Sequence, residues 1–343
     1  MEIKPTTCLL LFLLFLFIVV SCFSQNFNQN YRKGLADFVE FRYDTVKNRW
    51  NVQGRYSFIH DSKGNIKAEI FKSWNKKTRL WEVQSQSAFK YNHKDQLTEK
   101  LSKNKRFKSG ALEPVQKVIC VYKNDLKTEE QYFDISKKTA WLKKTINRYE
   151  YDTAGHLVKT IISTFKNKTF LDCASEIREY DMLGRIVQTE WDNYCGGNKI
   201  TKAAKSYEYT WDSLLNKETL KYEDRDISCN NYTYLEKKLS ENLCLLWNKK
   251  DSIWNENHKE KYIYNMFGDI IEMIRMNWST LDSSLKNERR ILYVYNPELQ
   301  LIFETEQKWS VKKASWYNVF RREYHWMPIK IDKKEKLRVK EFE

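Results

Sequence analysis

One spacing constrains this chain more than any other feature. An aromatic or imidazole side chain recurs just before a turn-forming residue at His60, Tyr91, Tyr122, Tyr151, Tyr180, Trp211, Tyr234, Tyr264, Tyr295 and Trp326. The steps between these anchors are 31, 31, 29, 29, 31, 23, 30, 31 and 31 residues. Two residues earlier stand Phe58, Phe89, Cys120, Tyr149, Arg178, Tyr209, Tyr232, Tyr262, Tyr293 and Tyr324, eight of them aromatic. Side chains two apart on a strand share a face, so each pair projects together. A period of this length marks a repeat array whose units stack on their neighbours.

Each unit carries two turn signals. "YDTAG" (151–155), "YDMLG" (180–184) and "YNMFG" (264–268) place Asp or Asn three residues before Gly. Asp and Asn bond the backbone ahead of them and Gly takes the positive-φ position, which is a type I turn closed by a glycine bulge. Apolar and β-branched runs follow, such as "LVKTII" and "IIEMIRM", which is strand composition. At the other end of the unit, "WNKKTRLW", "WNKKDSIW" and "WSVKKASW" set Trp74 and Trp81, Trp247 and Trp254, and Trp309 and Trp316 seven apart around a Lys-rich centre. With the turn midway, the two indoles of each pair face each other across the strands.

The fold class expected is all-β: a long antiparallel β-meander of about 30-residue two-stranded hairpin repeats, in a twisted or curled sheet. Some eighteen strands cannot stay flat and open, so the sheet curls or closes. "EKKLSENLCLLW" (236–247) has a helical alternative, but it sits where the repeat demands strands.

Residues 1–24 read as a secretory signal: Lys4, then an apolar run from Cys8 to Val20. Two processing routes fit. Cleavage after Ser24 releases the chain to the periplasm or the exterior. Alternatively, Val19-Val20-Ser21-Cys22 has the form of a lipobox, which makes Cys22 the lipidated residue of an outer-membrane lipoprotein. The hairpin domain spans 25–327 and a charged tail 328–343. No later run approaches the ~20 apolar residues of a spanning helix.

"YEYDTAGHL" (149–157), "EYDMLGRI" (179–186) and "YIYNMFGDI" (262–270) resemble the YD repeats of RHS-type secreted bacterial proteins. That resemblance implies a β-hairpin array spiralling into a strip or shell. The period here is longer than in RHS proteins and no toxin module follows, so the architecture carries over rather than an activity.

An exported chain can hold disulfides. Opposed residues in a hairpin have numbers of constant sum. By that rule Cys229 and Cys244 match the turn after Tyr234, and Cys173 and Cys195 nearly match the turn at 181–184. Cys120 holds an aromatic position and is expected as a buried free thiol. No metal-binding cysteine or histidine spacing, nucleophile elbow or cofactor motif occurs, so the expectation is no enzyme, cofactor or metal site.

The net charge is +15 and 15% of residues are aromatic. The expected function is an exported, non-catalytic interaction or structural scaffold at the cell envelope. The partner is then another envelope protein or an anionic polysaccharide; no nucleic acid is expected. The first alternative is a binding module for anionic glycans, with the six Trp as platforms and lysines beside them. The second is a fragment of an RHS-type toxin scaffold.

Overall fold

A computed structural model describes residues 34–327, except 107–108, 137–139, 167 and 196–197. Residues 1–24 with Cys22, and the tail at 328–343, lie outside the described residues. The described residues form twenty antiparallel strands and no helix. The first five hairpins are β1 (Leu35–Asp44) and β2 (Arg49–His60), β3 (Ile66–Asn75) and β4 (Leu80–Tyr91), β5 (Leu97–Lys105) and β6 (Leu112–Lys123), β7 (Leu126–Ser136) and β8 (Ala140–Tyr151), and β9 (Leu157–Lys166) and β10 (Thr169–Tyr180). The second five are β11 (Ile186–Cys195) and β12 (Asn198–Tyr209), β13 (Leu215–Tyr222) and β14 (Arg225–Leu235), β15 (Lys238–Asn248) and β16 (Ile253–Tyr264), β17 (Ile270–Ser279) and β18 (Ser284–Tyr295), and β19 (Leu301–Ser310) and β20 (Ser315–Trp326). Every strand pairs with the next, and β1 pairs with β20. The curled sheet is therefore a closed barrel, which leaves no free edge. Residues 238–247 of the stretch with the helical alternative form most of β15.

The closure has a regular cause. Each even strand carries a β-bulge near its middle, for example at Gln53, Gln84, Asn257 and Val319. Each odd strand carries another just after its start, for example at Lys67 and Ile271. Bulges bend a strand and increase its twist. Repeated in register, they curl the whole sheet the same way.

The register also sets the size. Tyr324 faces Phe38, which faces Tyr56: two residues before one anchor lead to four before the next. The same step recurs from Phe89 through Lys100 to Val118, and from Tyr293 through Glu304 to Arg322. Two residues per hairpin over ten hairpins is a shear of about twenty, hence a strand tilt of ~37° and a backbone diameter of ~35 Å. Among the described residues, close backbone approach occurs only between strands near one another around the ring. Most of the inner aromatic row is half-buried and not packed over, so the ring encloses an open interior.

Chirality decides which face looks inward. Just past β2, Asp61 donates its amide to Asn65 O, so Asp61, Ile59 and Ser57 turn their amides toward β3. In an L-chain running upward with the side chain toward the viewer, the amide points right. The next strand thus lies to the right when seen from the Ile59 side. The register drift raises each turn in that direction, so from that side the strands lean right of the barrel axis. Right-handed strand twist makes every barrel lean right when seen from outside. The Ile59 face is the outer wall. Exposure agrees: the residue before each anchor (Ile59, Lys90, Val121, Glu150, Glu179, Glu208, Thr233, Ile263, Val294, His325) is exposed. The residue one earlier is buried or half-buried in all ten hairpins.

One anchor needs correction. Trp211 is 97% exposed at a turn tip, and Tyr209 takes its place in the array. The steps there become 29 and 25 residues, and Tyr207 joins the inner aromatic row, which keeps eight aromatics in ten. Thr210 and Ser213 replace the usual Asp and Gly of that turn, which hid the register.

The anchors have a polar task. Tyr91 donates its hydroxyl to Ile66 O at 2.9 Å, Tyr122 to Leu97 O at 3.0 Å and Tyr180 to Leu157 O at 2.8 Å. Tyr151, Tyr209, Tyr234, Tyr264 and Tyr295 repeat this, and Trp326 does so with its indole N–H. The acceptor is always the residue opposite the previous anchor, next to the odd-strand bulge, where the ladder is interrupted. Each hairpin is thereby bonded to the one before it. Tyr180→Phe leaves the ring and removes this bond. We expect a loss of about 1–2 kcal/mol in denaturant unfolding; an unchanged midpoint would remove the ladder from the account of stability.

Candidate functional site

Two regions concentrate chemistry: a belt of charge and aromatics on the inner wall, and the indole pairs on the outer wall.

The inner belt is built from acids that stand either four residues before an anchor or eight to nine past one. Glu130 accepts from Tyr149 at 2.8 Å and lies against Cys120. Glu176 accepts from the Trp191 indole at 2.9 Å and pairs with Arg178. Glu218 takes Lys205 at 2.8 Å and the Asn230 amide at 3.1 Å. Glu260 accepts from Tyr262 at 2.8 Å, and Glu304 from Tyr324 at 2.9 Å. Burial, together with the nearby carboxylates, pushes the Tyr207 and Tyr293 phenols up to about 12. Burial and Glu130 raise the Cys120 thiol to about 11. These groups stay protonated at neutral pH, so the phenols donate and the acids accept. The belt resembles the interior of a wall, with each named acid satisfied by its neighbours. Part of it was legible in principle: Glu69, Glu130 and Glu304 fall eight or nine residues past an anchor, whereas Glu218 does so only once Tyr209 replaces Trp211. Among the described residues, no cluster of three His, Cys, Asp or Glu could hold a metal ion.

The indole pairs form as the spacing predicts. Trp74 faces Trp81, Trp247 faces Trp254 and Trp309 faces Trp316, edge to face, with centroids 5.3, 5.1 and 5.1 Å apart. The mid-strand bulge reverses the inward–outward alternation beneath it and turns these pairs to the outer wall. Arg290, an outer residue, lies 4.9 Å from the Trp316 ring, and Lys117 lies 5.2 Å from Trp141. All six paired indoles are half-buried, and exposed lysines crown each pair: Lys76 and Lys77, Lys249 and Lys250, Lys312 and Lys313.

The cysteine pairing is corrected. Cys229 lies opposite Leu245, and Cys244 lies opposite Asn230. The odd-strand bulge at Ser240 shifts the register by one, and a one-residue shift exchanges faces. Cys229 looks outward and Cys244 inward, and both are buried free thiols. Cys173 is also free, with its thiol directed at Ile162 O, 3.2 Å away. The side chain of Cys195 lies outside the described residues, though its backbone closes β11 opposite Asn198. Cys120 is a buried free thiol, as expected.

No family model matches the chain, and no curated protein does. Solved structures do. A Bacteroides fragilis protein of unknown function is 13% identical, covering 42% of this chain and 95% of its own, with a TM-score of 0.27. A porin-like protein from Bacteroides uniformis is 10% identical, covering 86% and 97%, with a TM-score of 0.34. The Photorhabdus luminescens Tc holotoxin pore is 11% identical, covering 85% of this chain and 16% of its own, with a TM-score of 0.38.

Proposed function

We propose that this protein is an exported, non-catalytic scaffold of the cell envelope: a rigid hollow barrel that stands in water. The observation that carries this reading is the outer wall. Arg55, Lys72, Lys103, Lys117, Glu190, Lys259, Arg290 and Arg321 stand on it near the middle of their strands. A charge on the lipid face of a membrane barrel costs about 2–4 kcal/mol at the midplane for Lys or Arg. A wall carrying so many is supported by water and not by lipid. The leader supports export, and the hairpin array supports kinship with YD-repeat proteins. The closed ring suits a part that holds shape and presents its rims.

Export and the watery wall are tested together in intact cells. Protease added to spheroplasts should degrade the full chain, and alkaline washing should release the Cys22→Ala variant from membranes. Protection from protease would end the export reading. Retention through the wash would end the water-exposed wall.

A second reading rests on the outer Trp pairs and their lysine crowns, which offer flat apolar edges beside positive charge. Anionic glycans have the matching chemistry. Salt-sensitive retention on an immobilised acidic polysaccharide, lost in Trp254→Ala/Lys250→Ala, supports it; passage of the native protein through the column removes it.

A further inference from the structure

One rim of the barrel is half polar and half apolar. At the rim formed by the Asp/Asn turns, the first four tips carry Lys63, His93, Lys94 and Thr153. There Lys63 bridges to Asp95 at 2.9 Å and Lys94 to Asp125. The tips that follow change character. Met182 is 103% exposed, Leu183 71%, Trp211 97%, Leu235 70%, Met266 87% and Phe267 68%. They belong to consecutive turns, from β10–β11 to β16–β17. Below the last of them, Phe267, Ile271, Val294, Pro297 and Leu299 line a shallow apolar groove of about 520 Å³ between neighbouring hairpins. Apolar surface gathered on one arc marks an interaction site.

Two observations say what covers it. The register drift is the same in every hairpin, so the tips end at one level and form a flat face rather than a cleft. The chain ends also emerge there: Leu35 pairs with Trp326, and Met327 donates its amide to Gly34 O at 2.6 Å. Eleven residues lie between Cys22, with the apolar run before it, and Gly34, a reach of up to ~40 Å. The rim with the apolar arc is therefore the rim tethered to the membrane-directed segment. Trp, Met, Phe and Leu at turn tips are also the side chains that enter the headgroup region while the wall stays wet.

We propose that this apolar arc is a bilayer-docking surface, which holds the barrel upright on the lipid face of the envelope. The inference rests on the export reading, but a failure to dock would leave the protease test of export untouched.

The test uses the full chain with Cys22→Ala, exported and purified, and vesicles of phosphatidylethanolamine and phosphatidylglycerol. The leader remnant is common to all variants. Trp211→Asp/Met266→Asp/Phe267→Asp should lower vesicle co-sedimentation about ten-fold or more. Val46→Asp/Leu281→Asp/Val311→Asp, at the opposite rim, should not change it. Brominated lipid should quench the native protein, and Trp211→Phe should remove that quenched component without altering binding more than about two-fold. Equal binding by both triple variants, or quenching that persists without Trp211, overturns the proposal. So does a concentration-dependent dimer abolished by the first variant with no vesicle binding, which would assign the arc to a second copy of this chain.

Discussion

An Arg322→Glu variant is expected to lose its closed ring. Arg322 sits on the last strand at the one junction that no turn enforces. It reaches Glu40 on β1 at 3.0 Å and Glu304 on β19 at 3.4 Å. Tyr324 adds a bond to the same Glu304 at 2.9 Å. Reversing the charge sets a third carboxylate among two half-buried ones and leaves them unpaired. Breaking a fully buried pair costs about 3–5 kcal/mol; with the Arg322 side chain 36% exposed the expected loss is about 2–3 kcal/mol, still a large share of a domain's stability. Parting β1 from β20 also exposes two edges that template aggregation. The variant should elute as higher oligomers and melt well below the native protein, while Arg322→Lys keeps most of the stability. A monomeric Arg322→Glu protein with native melting would show that the junction is held elsewhere.

The same junction is sensitive to acid. Asp37 is buried and bonds Arg55 at 2.7 Å and His325 at 2.7 Å. Burial by itself would raise its pKa, but the bonds and charges of Arg55 and His325 outweigh it, and the carboxyl lies below its usual range. A carboxylate lowered in the folded state contributes its full stability above its unfolded pKa and loses it as pH falls through the folded value. At about pH 3, amides between β1 and β20 should exchange faster relative to those between β9 and β10. An equal change at both places would clear Asp37 of any role in closure.

Gly54→Val is the second large effect. Gly54 is buried on the inner wall beside the bulge at Gln53. A Cβ there would stand 2.6 Å from Phe71 Cε2. The Phe71 ring cannot swing away freely, because it packs against Tyr56 at 4.7 Å, and Tyr56 stacks on Phe38 at 4.7 Å. That aromatic row runs across the closing junction to Tyr324. Overpacking of this kind costs about 1–3 kcal/mol, and the branched side chain puts Gly54→Val at the upper end. Gly54→Val/Phe71→Ala should recover part of the loss, because the cavity then accepts the new methyls. If the double variant is worse by the sum of both single losses, the two sites are not in steric contact.

Much of this was readable along the chain. The period, the strands, both turn types and the facing indoles come from local rules: alternation, turn chemistry and residues seven apart across a turn. The misassigned Trp211 shows the limit of that reading, since Thr210 and Ser213 make the same turn with different residues. Glu130 and Glu304 were visible as Glu eight or nine residues past an anchor, yet the phenols that bond them, Tyr149 and Tyr324, come from the next strand. Cys229 and Cys244 show the other limit. Their numbers match across the turn, but a single bulged residue, Ser240, puts them on opposite faces.

Sequence alone determined that nine or ten two-stranded units follow one another, because each unit's turns and alternation are local and need no other part of the chain. Only the tertiary structure decided that the tenth unit returns to the first, which face is the interior, and that the apolar tips share a rim with the chain ends. Those outcomes depend on small bends and register steps summed over twenty strands, and no single window of residues contains that sum.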